Sequence, residues 1–170
     1  VFLPPGKYQV SNINLPSKTV LIGVPGLTHI MYDGGGHCLM VENSEHVEII
    51  GLTIDGSNRK IEEYAEGLIR ITNCRHLVIE NCDIIGSASN GIYVGRSSGR
   101  IERNSISGIT GYCAIFGIEN KAMQIKSNTI KNCANGGILV HRYTDGEDGT
   151  IVADNHISHI GAAEGGTGQW

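Results

Sequence analysis

The chain has 170 residues, with 13 Lys and Arg against 17 Asp and Glu, a formal net charge of −4. No basic stripe accompanies that balance, which argues against a nucleic-acid partner, and no apolar run approaches the ~18 residues of a transmembrane helix. The five cysteines (38, 74, 82, 113 and 133) are odd in number and form no C-x-x-C pair. They read as reduced thiols in or near the core, with a disulfide framework or zinc site as the alternative.

In chain order, the first apolar stretches are short and broken by Pro, Gly and Asn. Residues 8–10, 20–22 and 28–30 read as the three strands of a first turn, and 39–41, 47–49 and 52–54 as those of a second. From Ile69 the spacing becomes regular. Ile69-Arg70-Ile71, Ile92-Tyr93-Val94, Ile115-Phe116-Gly117 and Ile138-Leu139-Val140 start 23 residues apart. Between them recurs the phrase aliphatic-x-x-Asn-x-Ile, with Asn104, Asn128 and Asn155 as its asparagines. Cys82 and Leu52 stand at that position in two degenerate earlier copies.

A fixed period of this length marks an array of one supersecondary unit. Three short strands per unit, stacked ~4.8 Å apart on the next, make a coil of a parallel β-helix. The hexapeptide rhythm of the left-handed form is absent. The expectation is therefore an all-β, right-handed, single-stranded parallel β-helix of about six coils, one domain over 1–170. Neither end shows the cap such a stack needs, so the chain reads as a section of a longer protein lacking both end caps. Ile69, Ile92, Ile115 and Ile138 should stack in one buried ladder. Asn104, Asn128 and Asn155 should form a second, of side-chain amides at a bend whose left-handed conformation asparagine tolerates.

The same period places Met40, Arg70, Tyr93, Phe116 and Leu139 in one outward row, with Glu42, Thr72 and His141 beside it. A Tyr93–Phe116 pair next to Arg70 suits a sugar ring, the aromatics stacking and the guanidinium gripping a carboxylate. The alternative is a cross-strand aromatic stack under a loop. Two excursions break the regularity. Residues 55–66 precede the strand at Ile69, and residues 141–149 follow the strand at Ile138, so the two are expected to wall opposite sides of one groove. The second loop brings His141, Arg142 and Tyr143 as ligand-binding candidates. Its Asp145, Glu147 and Asp148 are candidate ligands for Ca²⁺, without EF-hand spacing, and a solvated acidic loop is the alternative. His141 and Arg70 are the candidate catalytic residues, though neither has a visible partner.

Val-Phe-Leu-Pro-Pro-Gly-Lys-Tyr at 1–8, followed by Leu21-Ile22-Gly23, resembles the opening coil of pectin-lyase-like proteins. Asn-Gly-Ile-Tyr-Val at 90–94 is similar to the β-helix repeats of that superfamily. The glycine phrases at 23–26, 51–56, 146–149 and 165–169 look like those of an uncharacterised bacterial repeat family exported by the twin-arginine route. That resemblance implies a periplasmic or secreted protein and a polysaccharide as a candidate partner. The catalytic signatures of the superfamily's enzymes are missing: Gly34-Gly35-Gly36-His37 only echoes one, and no acid pair falls on the outward face of adjacent strands. The residues therefore fit a non-catalytic glycan- or envelope-associated binding or scaffold module. The alternative is a lyase or glycoside hydrolase acting on acidic polysaccharide. Oligomeric state is not readable from the sequence.

Overall fold

The computed structural model describes residues 1–161; the glycine phrase at 165–169 lies outside them. All pairings between strands are parallel, and the strands fall on three faces that wind around a single core. The first face holds β2 (Ile13–Asn14), the leading parts of β5 (Leu39–Ile50) and β7 (Gly67–Glu80), then β9 (Asn90–Gly95), β12 (Cys113–Ile118) and β15 (Gly136–His141). The second holds β3 (Thr19–Ile22), the trailing parts of β5 and β7, then β10 (Gly99–Glu102), β13 (Gln124–Lys126) and β16 (Ile151–Ala153). The third runs through β1 (Gly6–Val10), β4 (Thr28–Tyr32), β6 (Thr53–Asp55), β8 (Asp83–Ile85), β11 (Ser105–Ile109), β14 (Thr129–Cys133) and β17 (His156–Ile160). Six full coils result, from β2–β3–β4 to β15–β16–β17.

One early assignment moves. Tyr8 and Val10 pair with Ile30 and Tyr32 on the third face, so β1 belongs to a partial turn preceding the first full coil. That coil instead enters the first face at Ile13, which pairs with Leu39. Period-two alternation marks Tyr8 and Val10 as strand residues, but it carries no information about which face they occupy.

The aliphatic ladder forms in the expected register, Leu39–Ile69–Ile92–Ile115–Ile138. Ile69, Ile92 and Ile115 are fully buried, while Ile138, in the last coil, is half-buried. Burial of each such side chain contributes ~1.5–3 kcal/mol, and in a stack the benefit is shared with both neighbours.

The asparagine ladder also forms, at the bend between second and third faces. The Asn104 N–H and side-chain amide both donate to Asn128 Oδ1, each at 3.0 Å. The Asn128 N–H and amide donate to Asn155 Oδ1 at 2.9 and 3.0 Å. Each amide also reaches the carbonyl three residues before the equivalent position of the preceding coil, Cys82, Asn104 or Asn128: Ile79 from Asn104, Ile101 from Asn128, Ile125 from Asn155. The left-handed residue at this bend, however, is the one before the asparagine. Asn81, Arg103, Ser127 and Asp154 all have φ between 53° and 57°. The asparagine amide lies between coils, and the reversal of direction falls on the residue leading into it. A left-handed non-glycine residue costs ~1–2 kcal/mol, so the ladder's hydrogen bonds offset a strain repeated once per coil.

Two further polar stacks lie at the other corners. The Cys74 N–H donates to Ser97 Oγ (2.9 Å), and the Ser97 N–H to Asn120 Oδ1 (3.0 Å). At the entrance to the first face, the Asn90 amide donates to the Glu66 carbonyl (2.6 Å) and the Cys113 N–H to Asn90 Oδ1 (3.0 Å). Cys74, Cys82 and Cys113 thus occupy rungs otherwise filled by Ser or Asn. All five cysteines are unpaired and buried, and burial pushes their thiols up, Cys38 to about 12 and Cys82 and Cys133 to about 11. They act as small core residues.

Candidate ligand-binding groove

The outward row of the first face is in register as expected: Met40, Arg70, Tyr93, Phe116 and Leu139 face the same way on successive coils. Tyr93 and Phe116 meet edge-to-face, 5.6 Å apart at 87°. Tyr93 is 8% exposed, whereas Phe116 and Leu139 remain half-buried and open to the outside.

Arg70 is already engaged. Its side chain is 17% exposed; Nη1 pairs with the Glu42 carboxylate and Nε with Glu66 Oε2 at 3.2 Å. A guanidinium held by two carboxylates is not poised to grip a third. Burial raises the Tyr93 hydroxyl above its ordinary range, and the adjacent Glu66 carboxylate raises it further by charge and hydrogen bonding.

The excursion after β6 covers the lower half of this face. Asp55 Oδ1 accepts the Ser57 N–H (2.7 Å), and Ser57 and Asn58 both take positive φ. Ile61 and Ala65 are buried beneath the loop, and the single 3-10 turn at Glu63–Ala65 closes on a left-handed Glu66. The loop docks on the glycine-rich segment below it. The Glu62 N–H donates to the Gly36 carbonyl (3.1 Å), Arg59 pairs with Asp33 (3.6 Å), and Tyr64 Oη lies 3.1 Å from His37 Nδ1. Gly36 takes φ 132°, which side chains disfavour, and a Cβ there would sit 2.1 Å from Asn12 Oδ1 and displace it. His37 is buried with its Nε2 unpartnered among the described residues. Burial lowers its pKa and Arg70 lowers it further, against the opposing charge of Glu42.

Between this loop and the upper coils lies an open groove of about 720 Å³. Its floor is Tyr93, Phe116 and Leu139. One end is closed by Lys60, Ile61, Glu62 and Glu63, and one long side is formed by Glu66, Ser89, Tyr112 and Asn135. This side is itself a 23-residue series, lying four residues ahead of the floor series 70, 93, 116 and 139. Ser89 Oγ donates to the Glu66 carbonyl (3.0 Å), the Tyr112 N–H to the Ser89 carbonyl (3.3 Å), and the Asn135 amide to the Gly111 carbonyl. Tyr112, 65% exposed, stands on the rim. Tyr112, Ser89 and Asn135 escape the sequence analysis because their side chains share no chemistry; the constant spacing was the available signal.

The 141–149 loop does not line this groove. It leaves the opposite end of β15 and bounds a separate hollow of about 420 Å³ with Arg142, Glu147, Asp148 and Thr150. Glu119 fixes it, accepting the Tyr143 N–H (2.7 Å), the Thr144 N–H (2.9 Å) and the Thr144 hydroxyl (2.7 Å), bonds that hold its carboxyl below the usual range. His141 and Tyr143 meet edge-to-face at 4.4 Å, with Tyr143 78% exposed. Arg142 Nε donates to the Thr144 carbonyl (2.8 Å) and Asp148 Oδ1 accepts the Thr150 N–H (2.8 Å). Among the described residues no three His, Cys, Asp or Glu side chains come together as a cation site, so Asp145, Glu147 and Asp148 do not converge. Of the residues singled out in the sequence, Tyr93 and Phe116 line the groove and Arg70 lies beneath it, while His141, Arg142 and Tyr143 lie elsewhere.

Parallel coils and stacked amides define a right-handed β-solenoid, and comparison with known proteins agrees on that fold. The profile of the right-handed β-helix region family matches residues 37–168, and the chain belongs to that family. A solved structure, Geobacillus virus E2 ORF18, aligns with a TM-score of 0.61 at 14% identity, over 94% of this chain and 33% of that one. At that identity the likeness concerns the fold, and the chain spans about a third of that structure's length. A search of curated proteins finds no match. Among the described residues no helix is long and apolar enough to cross a membrane.

Proposed function

We propose that this chain is a glycan-binding stretch of an exported β-helix protein, which holds an oligosaccharide in the groove over Tyr93, Phe116 and Leu139 without cleaving it. The observation that carries the reading is the pairing of an apolar floor with a parallel polar rim. Sugar rings stack on aromatic and aliphatic surface through their C–H faces and hydrogen-bond through their edges. Floor and rim both repeat with the coils, ~4.8 Å per step along the axis, which is close to the advance of an extended glycan per residue. The oligosaccharide then runs along the helix axis, one ring per coil. Export and a periplasmic or secreted setting rest on the resemblance of the glycine phrases. The alternative of an enzyme acting on acidic polysaccharide is disfavoured by the engagement of Arg70, the residue that would otherwise meet a uronate.

Binding is tested by calorimetry with oligosaccharides drawn from a glycan array, using wild type, Phe116→Ala and Tyr112→Ala. Loss of one stacking surface should weaken binding by at least about tenfold. Unchanged affinity in both variants would move the site off this face, and steady release of reducing ends or unsaturated products would show an enzyme.

A further inference from the structure

The groove's charge selects among glycans, an inference that rests on the binding reading above. Glu62 and Glu63 are exposed at its closed end and pair with no cation among the described residues. Glu66, on the long side, shares Arg70 with Glu42. Lys60 is the one cation on the lining. Around and beneath the groove, Glu42, Glu62, Glu63 and Glu66 thus face Lys60 and Arg70, with Arg96 beside Tyr93, which leaves one carboxylate in excess. A uronate entering here would meet a negative field with the local guanidinium already taken, whereas a cation would be drawn in. The apolar floor beside this charge adds a second attraction, since an ammonium over an aromatic face is favoured by the ring quadrupole, and Phe116 is the more exposed of the two floor aromatics.

We infer that the groove takes an amino sugar: a glycan bearing a free, charged amine, its ring on Phe116 and Leu139 and its ammonium toward Glu62 and Glu63. The polar rim at Ser89 and Asn135 serves the hydroxyls of such a ligand as it would those of a neutral one, so charge sets the preference between them.

The test is calorimetry with four oligosaccharides of equal length: β-1,4 glucosamine, its N-acetylated form, β-1,4 glucose and galacturonate. The pH is chosen so that the amine is charged and the glutamates remain ionised. Wild type should bind the glucosamine oligomer about tenfold more tightly than either neutral one, and galacturonate most weakly. In Glu62→Gln/Glu63→Gln the ratio of charged to neutral affinity should fall toward one, as it should for wild type in high salt. Equal binding of charged and neutral oligomers, lost in Phe116→Ala, would overturn the amino-sugar inference and leave the groove as a glycan site. Tightest binding of galacturonate would likewise overturn it. Binding of none of the four would overturn the amino-sugar inference, while the binding reading stands or falls with the glycan array.

Discussion

Asn128 is the middle rung of the amide ladder, and replacing it with alanine removes four hydrogen bonds. These are the two that Oδ1 accepts from the Asn104 N–H and amide, and the two that Nδ2 donates to the Ile101 carbonyl and Asn155 Oδ1. Their consequences differ. The Asn104 amide keeps its bond to the Ile79 carbonyl, and Asn155 Oδ1 keeps the Asn128 N–H. The Asn104 N–H and the Ile101 carbonyl lose this partner in an interior where Asn104 and Asn128 are 2% and 1% exposed. Each buried backbone group left unsatisfied costs ~1–3 kcal/mol, so Asn128→Ala should destabilise the protein by about 2–6 kcal/mol.

Asn155 provides the internal control. Its side chain makes three bonds, but it lies in the last coil and is only half-buried, so water can replace a lost partner. Asn155→Ala should therefore cost less than Asn128→Ala. Urea unfolding followed by far-UV circular dichroism measures both, and amide exchange at Asn104 reports the orphaned N–H directly. A cost for Asn128→Ala below that for Asn155→Ala, with protection at Asn104 unchanged, would refute the idea that the ladder holds the bend.

Two further outcomes follow from the backbone and the buried histidine. Ser127 is exposed at φ 56°, so Ser127→Gly removes a left-handed penalty and should raise stability by about 0.5–1 kcal/mol after the entropy cost of glycine, read as a shift in the urea midpoint; a lower midpoint would contradict the strain argument. The pKa of His37 is depressed in the folded protein, so the unfolded chain binds the proton first: the His37 contribution to stability should be complete above pH ~6.5 and fall as pH drops below it, by up to ~1.4 kcal/mol per unit until His37 itself protonates, and His37→Gln should lack that slope.

The period was legible because the dry core admits few residue types. Ile69, Ile92 and Ile115 sit where any polar atom would be stranded, so chemistry and spacing repeat together. The same holds for Asn104, Asn128 and Asn155, whose position needs a donor and an acceptor at once. The Cys74–Ser97–Asn120 stack has the same 23-residue spacing but was missed. Its rungs accept the N–H of the preceding coil and donate to a nearby carbonyl, Ser97 to Gly95 and Asn120 to Val94, which serine and asparagine both can do, and its first member gives only its backbone. That two carboxylates hold Arg70 was not legible in the sequence for a related reason. The outward row fixes where Arg70 stands, but Glu42 and Glu66 reach it from another coil and from a loop, and no one-dimensional pattern encodes both. The destination of the 141–149 loop depended on the side of the first face from which it departs. It follows β15, whereas the 55–66 loop precedes β7, so they occupy opposite ends of the strands; only the latter folds back over the floor.

The position of the groove follows from where the solenoid departs from its own rule. A strictly periodic stack would present flat faces, with each outward row lying level with the next. Here the floor row keeps the period, but its lower members, Met40 and Arg70, are hidden by the loop inserted before Gly67. Above that loop, the preceding corner continues unextended and carries Ser89, Tyr112 and Asn135 at the level of the floor's edge. One insertion in one coil thus supplies the end wall, while the repeat supplies the floor and the long side. Ile61 and Ala65 fasten the loop, buried in the same apolar core as the ladders. The ladders hold the coils in register, the register sets the rows, and the inserted loop turns two rows into a site.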